Sequence, residues 1–162
     1  RIRKESQAIR PGLQLTAAVW RTPATARDYD QDSVAWLNDG YLDAAYPMIY
    51  TDKDDQFTKD LSEWTLACPG KLVVPGLGIY QHAPGKSAYQ VSVANRLCPR
   101  GLALYAYASL YESADPKQDR KPQDVKTRSE RLQALKAIVR PATATSGVSP
   151  AAPRASANAA QR

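Results

Sequence analysis

The feature that most constrains this chain is a thirty-residue beat. Four times, a polar or amphipathic segment leads to a glycine and then to a short apolar run that closes on an aromatic residue. The units read QAIRPGLQLTAAVW, LNDGYLDAAYPMIY, CPGKLVVPGLGIY and CPRGLALYAYASLY. Their glycines are Gly12, Gly40, Gly70 and Gly101. Their closing aromatics are Trp20, Tyr50, Tyr80 and Tyr111, spaced 30, 30 and 31 residues apart. A period of that size has room for one strand and one crossover helix, the unit of a parallel sheet.

The apolar runs at 13–20, 44–50, 71–80 and 102–111 are short and nearly continuous. That pattern predicts strands covered on both faces. The intervening segments read as helices. Residues 30–38 offer Asp32 or Ser33 as an N-cap. Residues 56–67 set Phe57, Leu61, Trp64 and Leu66 near helical spacing, with Asp60 and Glu63 facing away. Residues 87–97 start at Ser87, a good cap, and carry Tyr89, Val93 and Leu97 on one stripe. Residues 124–139 carry Val125, Leu132, Leu135, Ile138 and Val139. The glycine after each helix is the expected left-handed stop before the next strand.

Four such units behind an opening helix predict an α/β protein. Two architectures are open: half of a (β/α)8 barrel, or a small doubly wound sheet. Pro47 and Pro75 fall inside two strands, where a missing N–H disturbs a ladder. A barrel absorbs such local irregularity more readily than a flat doubly wound sheet. Because four strands do not close an eight-stranded barrel, and the chain opens on Arg1 and not Met, the expectation is a piece of a longer polypeptide. Its other half would lie upstream.

Charge and composition narrow the function classes. Residues 1–113 are electrically balanced, so the whole net charge of +6 lies in residues 114–162. That basic segment holds no aromatic residue, so the interleaved pattern of a nucleic-acid surface is missing and no nucleic-acid partner is expected. Residues 141–162 are rich in Ala, Pro and Ser with no periodic apolar face, and read as a disordered tail. No apolar run approaches the roughly 18–20 residues of a membrane span. Neither G-x-G-x-x-G nor G-x-x-x-x-G-K-[ST] occurs, which removes the usual support for a nucleotide cofactor. Cys68 and Cys98 have one histidine, His82, for company. That predicts no metal and leaves two readings: a pair of small buried residues, or a bridge between neighbouring loops.

The wording of the strands carries a resemblance. Trp36, Leu37, Gly40, Leu42, Asp43, Pro47, Met48, Tyr50, Thr51 and Asp52 follow a "VDAxxPMxYT" pattern behind a Trp/Leu helix. Gly76, Gly78 and Tyr80 follow a "GIGxY" pattern, with Leu77 in its middle place. Residues Leu104 to Leu110 follow "FSYxSL" with its first part altered. In this order and spacing, residues 1–113 resemble the C-terminal part of the family-10-like glycosyl hydrolases, bacterial barrel proteins often found as envelope lipoproteins. The resemblance implies about strands five to eight of a (β/α)8 TIM-type barrel, spanning residues 1–140. It also implies a carbohydrate substrate, no cofactor, and a bacterial envelope or secreted setting.

Active sites of such barrels lie at the C-terminal ends of the strands. Those ends present Trp20 and Arg21, then Tyr50, Thr51 and Asp52, then Tyr80, Gln81 and His82, then Ser109, Tyr111 and Glu112. Sugars offer flat apolar faces and a rim of hydroxyls, so Trp20, Arg21, Tyr50, Tyr80, Gln81, His82 and Tyr111 are the expected substrate contacts. Glycoside hydrolysis needs two carboxyl groups. Asp52 is the first candidate catalytic residue and Glu112 the second, with at least one catalytic group expected in the missing half. The alternatives are a barrel that binds glycan without cleaving it, and a doubly wound binding module.

Overall fold

The computed structural model describes residues 1–111 and 125–138. Glu112, Val139 and the expected tail at 141–162 lie outside the described residues, as does the side chain of Val125. In chain order the elements are α1 (Ile2–Ile9), β1 (Thr16–Val19), α2 (Pro23–Asp28), α3 (Ser33–Asn38), β2 (Ala44–Ile49), α4 (Asp54–Ala67), β3 (Gly76–Gly78), α5 (Pro84–Leu97), β4 (Ala103–Tyr105) and α6 (Val125–Lys136). Single 3-10 turns, Ile79–Gln81 and Tyr107–Ser109, follow β3 and β4.

The four strands form one parallel sheet in the order β1-β2-β3-β4. The order never reverses, so the sheet lacks the switch point of a doubly wound fold. The α/β class and the βα alternation are present as the thirty-residue beat predicts. Each beat glycine takes the left-handed conformation needed to leave a helix: φ is +81° at Gly12, +78° at Gly40, +73° at Gly70 and +144° at Gly101. An L side chain is strained there.

The prolines have a simple resolution. Ala45 is bridged to Val73 below them, and Met48 pairs with Gly76 above. The same register sets Pro47 level with Pro75. Level as they are, they face different neighbours: Pro47 shares the side of Ala45, which bonds β3, whereas Pro75 faces β4, so each missing N–H costs one bond in a separate ladder. Pairing resumes on either side, and the Pro75 carbonyl still accepts from the Ala103 N–H at 2.9 Å.

Helical phase decides the core. Phe57, Leu61, Trp64 and Cys68 make one buried stripe on α4, and each large side chain there contributes roughly 1.5–3 kcal/mol by burial. Leu66 lies about 200° around the helix from Trp64; it is 80% exposed, not part of the stripe as expected. Asp60, three residues beyond Phe57, falls on the stripe and is 1% exposed, so it does not face away. On α5 the helix starts at Pro84, a natural first-turn residue, three residues before the expected cap at Ser87. Ser87, Gln90, Val91, Val93 and Ala94 are its buried residues; of the expected stripe Val93 is in the core and Leu97 packs against it, while Tyr89 faces out. Asp32 does cap α3, accepting from the Ala35 N–H at 3.4 Å. Helix α2 has no counterpart in the sequence reading, and β3 and β4 are shorter than their apolar runs.

Among the described residues the sheet is covered on one face, not two. Ala45, Pro47 and Ile49 point into the helical layer and are buried. Tyr46, Met48 and Tyr50 point the other way, and with Thr16, Ala18 and Tyr105 they line an open cleft of about 320 Å³. At the N-terminal end of the strands, Arg3 of α1 forks onto Asp43 at 2.9 and 3.0 Å, and the Leu15 N–H donates to the same carboxylate at 2.7 Å. These bonds hold the Asp43 carboxyl below the usual carboxylate range. They place Asp43 at the end of the sheet opposite Tyr50.

Replacing Gly70 by Ala, at positive φ, is expected to cost about 1–2 kcal/mol. Gly85→Ala, at ordinary φ in α5 with open space around a Cβ, is expected to stabilise by about 0.5–1 kcal/mol. Urea melts of the two variants check both signs.

Candidate functional site

The C-terminal ends of the four strands carry three aromatic groups. After β1, Trp20 stacks on Tyr29 with centroids 4.4 Å apart and planes at 24°. Across β2, β3 and β4, Tyr50 stacks on Tyr105 at 5.2 Å, while Tyr80 meets both edge-on, at 6.4 Å from Tyr50 and 5.9 Å from Tyr105. After β4, Tyr107 stacks on Tyr111 at 4.9 Å.

The Tyr50–Tyr105 stack needs an explanation, because β2 and β4 are separated by β3 and alternate strands lie roughly 9.6 Å apart. Tyr50 leans over β3 to reach its partner, and glycine makes that possible. A Cβ on Gly78 would stand 2.9 Å from the Tyr50 Cβ and 3.1 Å from its Cγ. One on Gly76 would stand 3.3 Å from the Tyr50 Cε1. The Gly-Leu-Gly strand thus leaves the open face bare where a tyrosine lies across it, while Leu77 anchors the strand in the core. Burial and its two phenolic neighbours push the Tyr50 hydroxyl above its ordinary pKa.

Beneath the aromatics runs a belt of buried polar groups. The Thr51 carbonyl accepts from the His82 Nε2–H at 2.8 Å and from Gln90 Nε2 at 3.1 Å. Gln90 also reaches Asp54 at 3.2 Å, and Lys86 lies 3.7 Å from the same carboxylate. Arg131 of α6, itself buried, donates to the His82 carbonyl at 2.6 Å and to the Ser109 carbonyl at 2.7 Å. It ties the turns after β3 and β4 to the last helix. On the other flank, Arg21 Nε lies 3.0 Å from Asp60 Oδ2. The Arg21 carbonyl accepts from the Trp64 indole N–H at 2.9 Å. Asp60 is buried because it meets Arg21 and accepts from Gln56 at 2.6 Å; a buried carboxylate without such partners is costly.

The expected site residues separate on this geometry. Trp20, Arg21, Tyr50, Tyr80 and Gln81 follow their strands within three residues, whereas β4 ends at Tyr105 and Tyr111 lies beyond the 3-10 turn after it. Asp52 is exposed on the loop between β2 and α4, and its carbonyl accepts from Lys86. Glu112 lies outside the described residues. His82 is 3% exposed, so its ring serves the belt and not the open mouth. Three aromatics escaped the sequence reading: Tyr29, Tyr105 and Tyr107. Strand alternation through Ala103 would have put Tyr105 on the open face; Tyr29, at the end of α2, carries no such signal. Cys68 and Cys98 are free, buried thiols, held above their ordinary pKa by burial. They line a cavity of about 180 Å³ among Thr65, Val73 and Leu97. Among the described residues no cluster of metal-ligating side chains occurs and no helix is long and apolar enough to cross a membrane. Comparison with known proteins finds no matching family, no matching curated protein and no matching solved structure.

Two measurements test this end of the sheet. Gly78→Ala is expected to cost about 1–3 kcal/mol by forcing Tyr50 aside and to weaken the near-ultraviolet dichroism of the stacked tyrosines. In a Tyr50→Gly background, which removes the Cβ at 2.9 Å as well as the ring and leaves only the flexible end of Gln81 at 3.0 Å, the same change should cost less than about 1 kcal/mol, which a double-mutant cycle reads directly. Burial holds the His82 imidazole below its ordinary pKa. Below about pH 6.5 the unfolded chain therefore takes up a proton that the folded chain refuses. Stability should fall as pH drops through that value and level off beneath the folded pKa. His82 is the sole histidine, so His82→Gln should flatten the slope of ΔG against pH between about 5.5 and 7.

Proposed function

We propose that the described residues form half of a (β/α)8-type barrel whose mouth handles a glycan, as part of a glycoside hydrolase acting on a bacterial cell-wall or other polysaccharide. The remaining four strands belong to polypeptide outside the 162 residues. The observation that carries this reading is the row of stacked aromatics at the C-terminal ends of four parallel strands in sequential order. The open face supports it too. A sheet with helices on one side, an apolar cleft on the other, and edge strands β1 and β4 lacking further partners among the described residues matches a barrel wall seen without its opposite wall. The order and spacing of the strand motifs that resemble family-10-like glycosyl hydrolases point the same way.

In this reading the stacked rings receive the apolar faces of sugar units, while Arg21 and Gln81 hydrogen-bond hydroxyls. The Arg21 guanidinium is held in place by Asp60, so its orientation does not depend on substrate. Asp52, at the end of β2, is the carboxylate assigned to proton transfer. Its partner at the spacing hydrolysis requires comes from the absent strands or, as the weaker candidate, from Glu112. A second reading, glycan binding without cleavage, draws on the engagement of other nearby carboxylates. Asp54 is taken up by Lys86 and Gln90, and Asp60 by Arg21 and Gln56.

Joined to the strands that complete the barrel, the protein is expected to release reducing ends from a polysaccharide. Asp52→Asn should then lower turnover by about 10²–10⁴-fold with little change in substrate affinity. Undiminished turnover in the variant would remove Asp52 from the chemistry. Tight binding with no turnover by the complete barrel would establish the second reading.

A further inference from the structure

We infer that the aromatic row takes several consecutive sugars of a neutral linear glycan, so that the site grips an internal stretch of polymer and not a single terminal unit. This rests on the glycan reading above and specifies its ligand. Three residues outside the expected set carry it: Tyr29, Tyr105 and Tyr107.

The first argument is extent. The aromatic groups stand after β1, across β2 to β4, and after β4. Three strand spacings of about 4.8 Å separate the first strand end from the last, so the row is roughly 14 Å long before the flanking residues are added. That is more than one sugar ring covers. The second is exposure. The row is open at its ends, with Tyr29 at 59% and Tyr107 at 67%, and Tyr105 within it is 40% exposed, although each is already stacked on a neighbour. Pairing has fixed these rings in place without covering them, so a ligand stacking on them loses little side-chain entropy.

The third is charge. Aromatic rows also bind single-stranded nucleic acid, but there they line a basic groove. Here the cation beside Trp20 is Arg21, neutralised by Asp60, and Lys86 is neutralised by Asp54. Residues 1–113 are balanced overall. Arg128 and Arg131 of α6 stand at the β4 end, donating to the Ala108, Ser109 and His82 carbonyls; along the rest of the row the paired charges favour an uncharged polymer of flat rings and hydroxyls over a polyanion.

The test is calorimetric titration of the protein, joined to the strands that complete the barrel, with two neutral series, β-1,4-linked glucose and β-1,4-linked N-acetylglucosamine oligomers of one to six units. Affinity in at least one series should rise about tenfold or more between the disaccharide and the pentasaccharide. Tyr29→Ala and Tyr107→Ala should each weaken pentasaccharide binding by about 3–10-fold while leaving the disaccharide unaffected. Tyr107→Phe, which keeps the ring, should retain it. Equal affinity for short and long oligomers, or no effect of the outer substitutions in chains with unchanged melting curves, overturns the extended platform and leaves the glycan reading standing. If no saccharide binds the completed, folded barrel, both fall. So does the inference if a single-stranded oligothymidylate binds more tightly than any saccharide.

Discussion

Parallel strands laid down in sequential order, with crossovers of one hand, receive all their helices on the same side. That constraint shapes the rest of this molecule. One face of the sheet becomes the core, where Val19, Ile49 and Leu77 meet Phe57, Leu61 and Trp64 of α4 and Val91 and Ala94 of α5. The other face keeps Tyr46, Met48 and Tyr50 on an open cleft. The same geometry collects every strand end, and therefore every closing aromatic of the repeat, along one edge.

What makes that edge a site, and not a scatter of rings, is the treatment of its neighbours. β3 gives up side chains at Gly76 and Gly78, which lets Tyr50 cross it to Tyr105. Beneath, the polar belt is built mainly on backbone carbonyls: Thr51 receives His82 and Gln90, and Arg131 spans His82 and Ser109. A protonated imidazole at His82 would place a second N–H at Nδ1, which is buried and has no hydrogen-bond partner in the structure, so the belt favours the neutral ring. Rings above a fixed polar layer are held in place before any ligand arrives.

Much of the fold was legible in the chain, and the legible parts share a cause. The four beat glycines mark turns that only a positive φ closes, and such needs are local. The capping of α3 by Asp32 and the stripe of Phe57, Leu61 and Trp64 are local too. The misreadings are of another kind. Asp60 looked like a solvent-facing carboxylate because its partner, Arg21, is far away in sequence. Leu66 looked apolar enough to be buried, yet the helix rotates it away. Ser87 looked like a cap, but Pro84 had already begun the helix. The candidate site divides the same way: Trp20, Tyr50, Tyr80 and Tyr111 follow from the period, whereas Tyr29 and Tyr107 join only through ring contacts.

By itself, then, the sequence determined the alternation of strand and helix, the glycines at which four of the helices stop, and an aromatic after each of the first three strands, since all of these follow from periodicity and from backbone conformations set within a few residues. Only the tertiary structure decided that the strands pair in unreversed order, that the two prolines stand level but face different strands, that Asp60 is buried against Arg21, and that Tyr50 reaches Tyr105 over a bare strand. Each of those depends on which distant segments come into register, and a contact between distant segments leaves no mark in the local pattern of either.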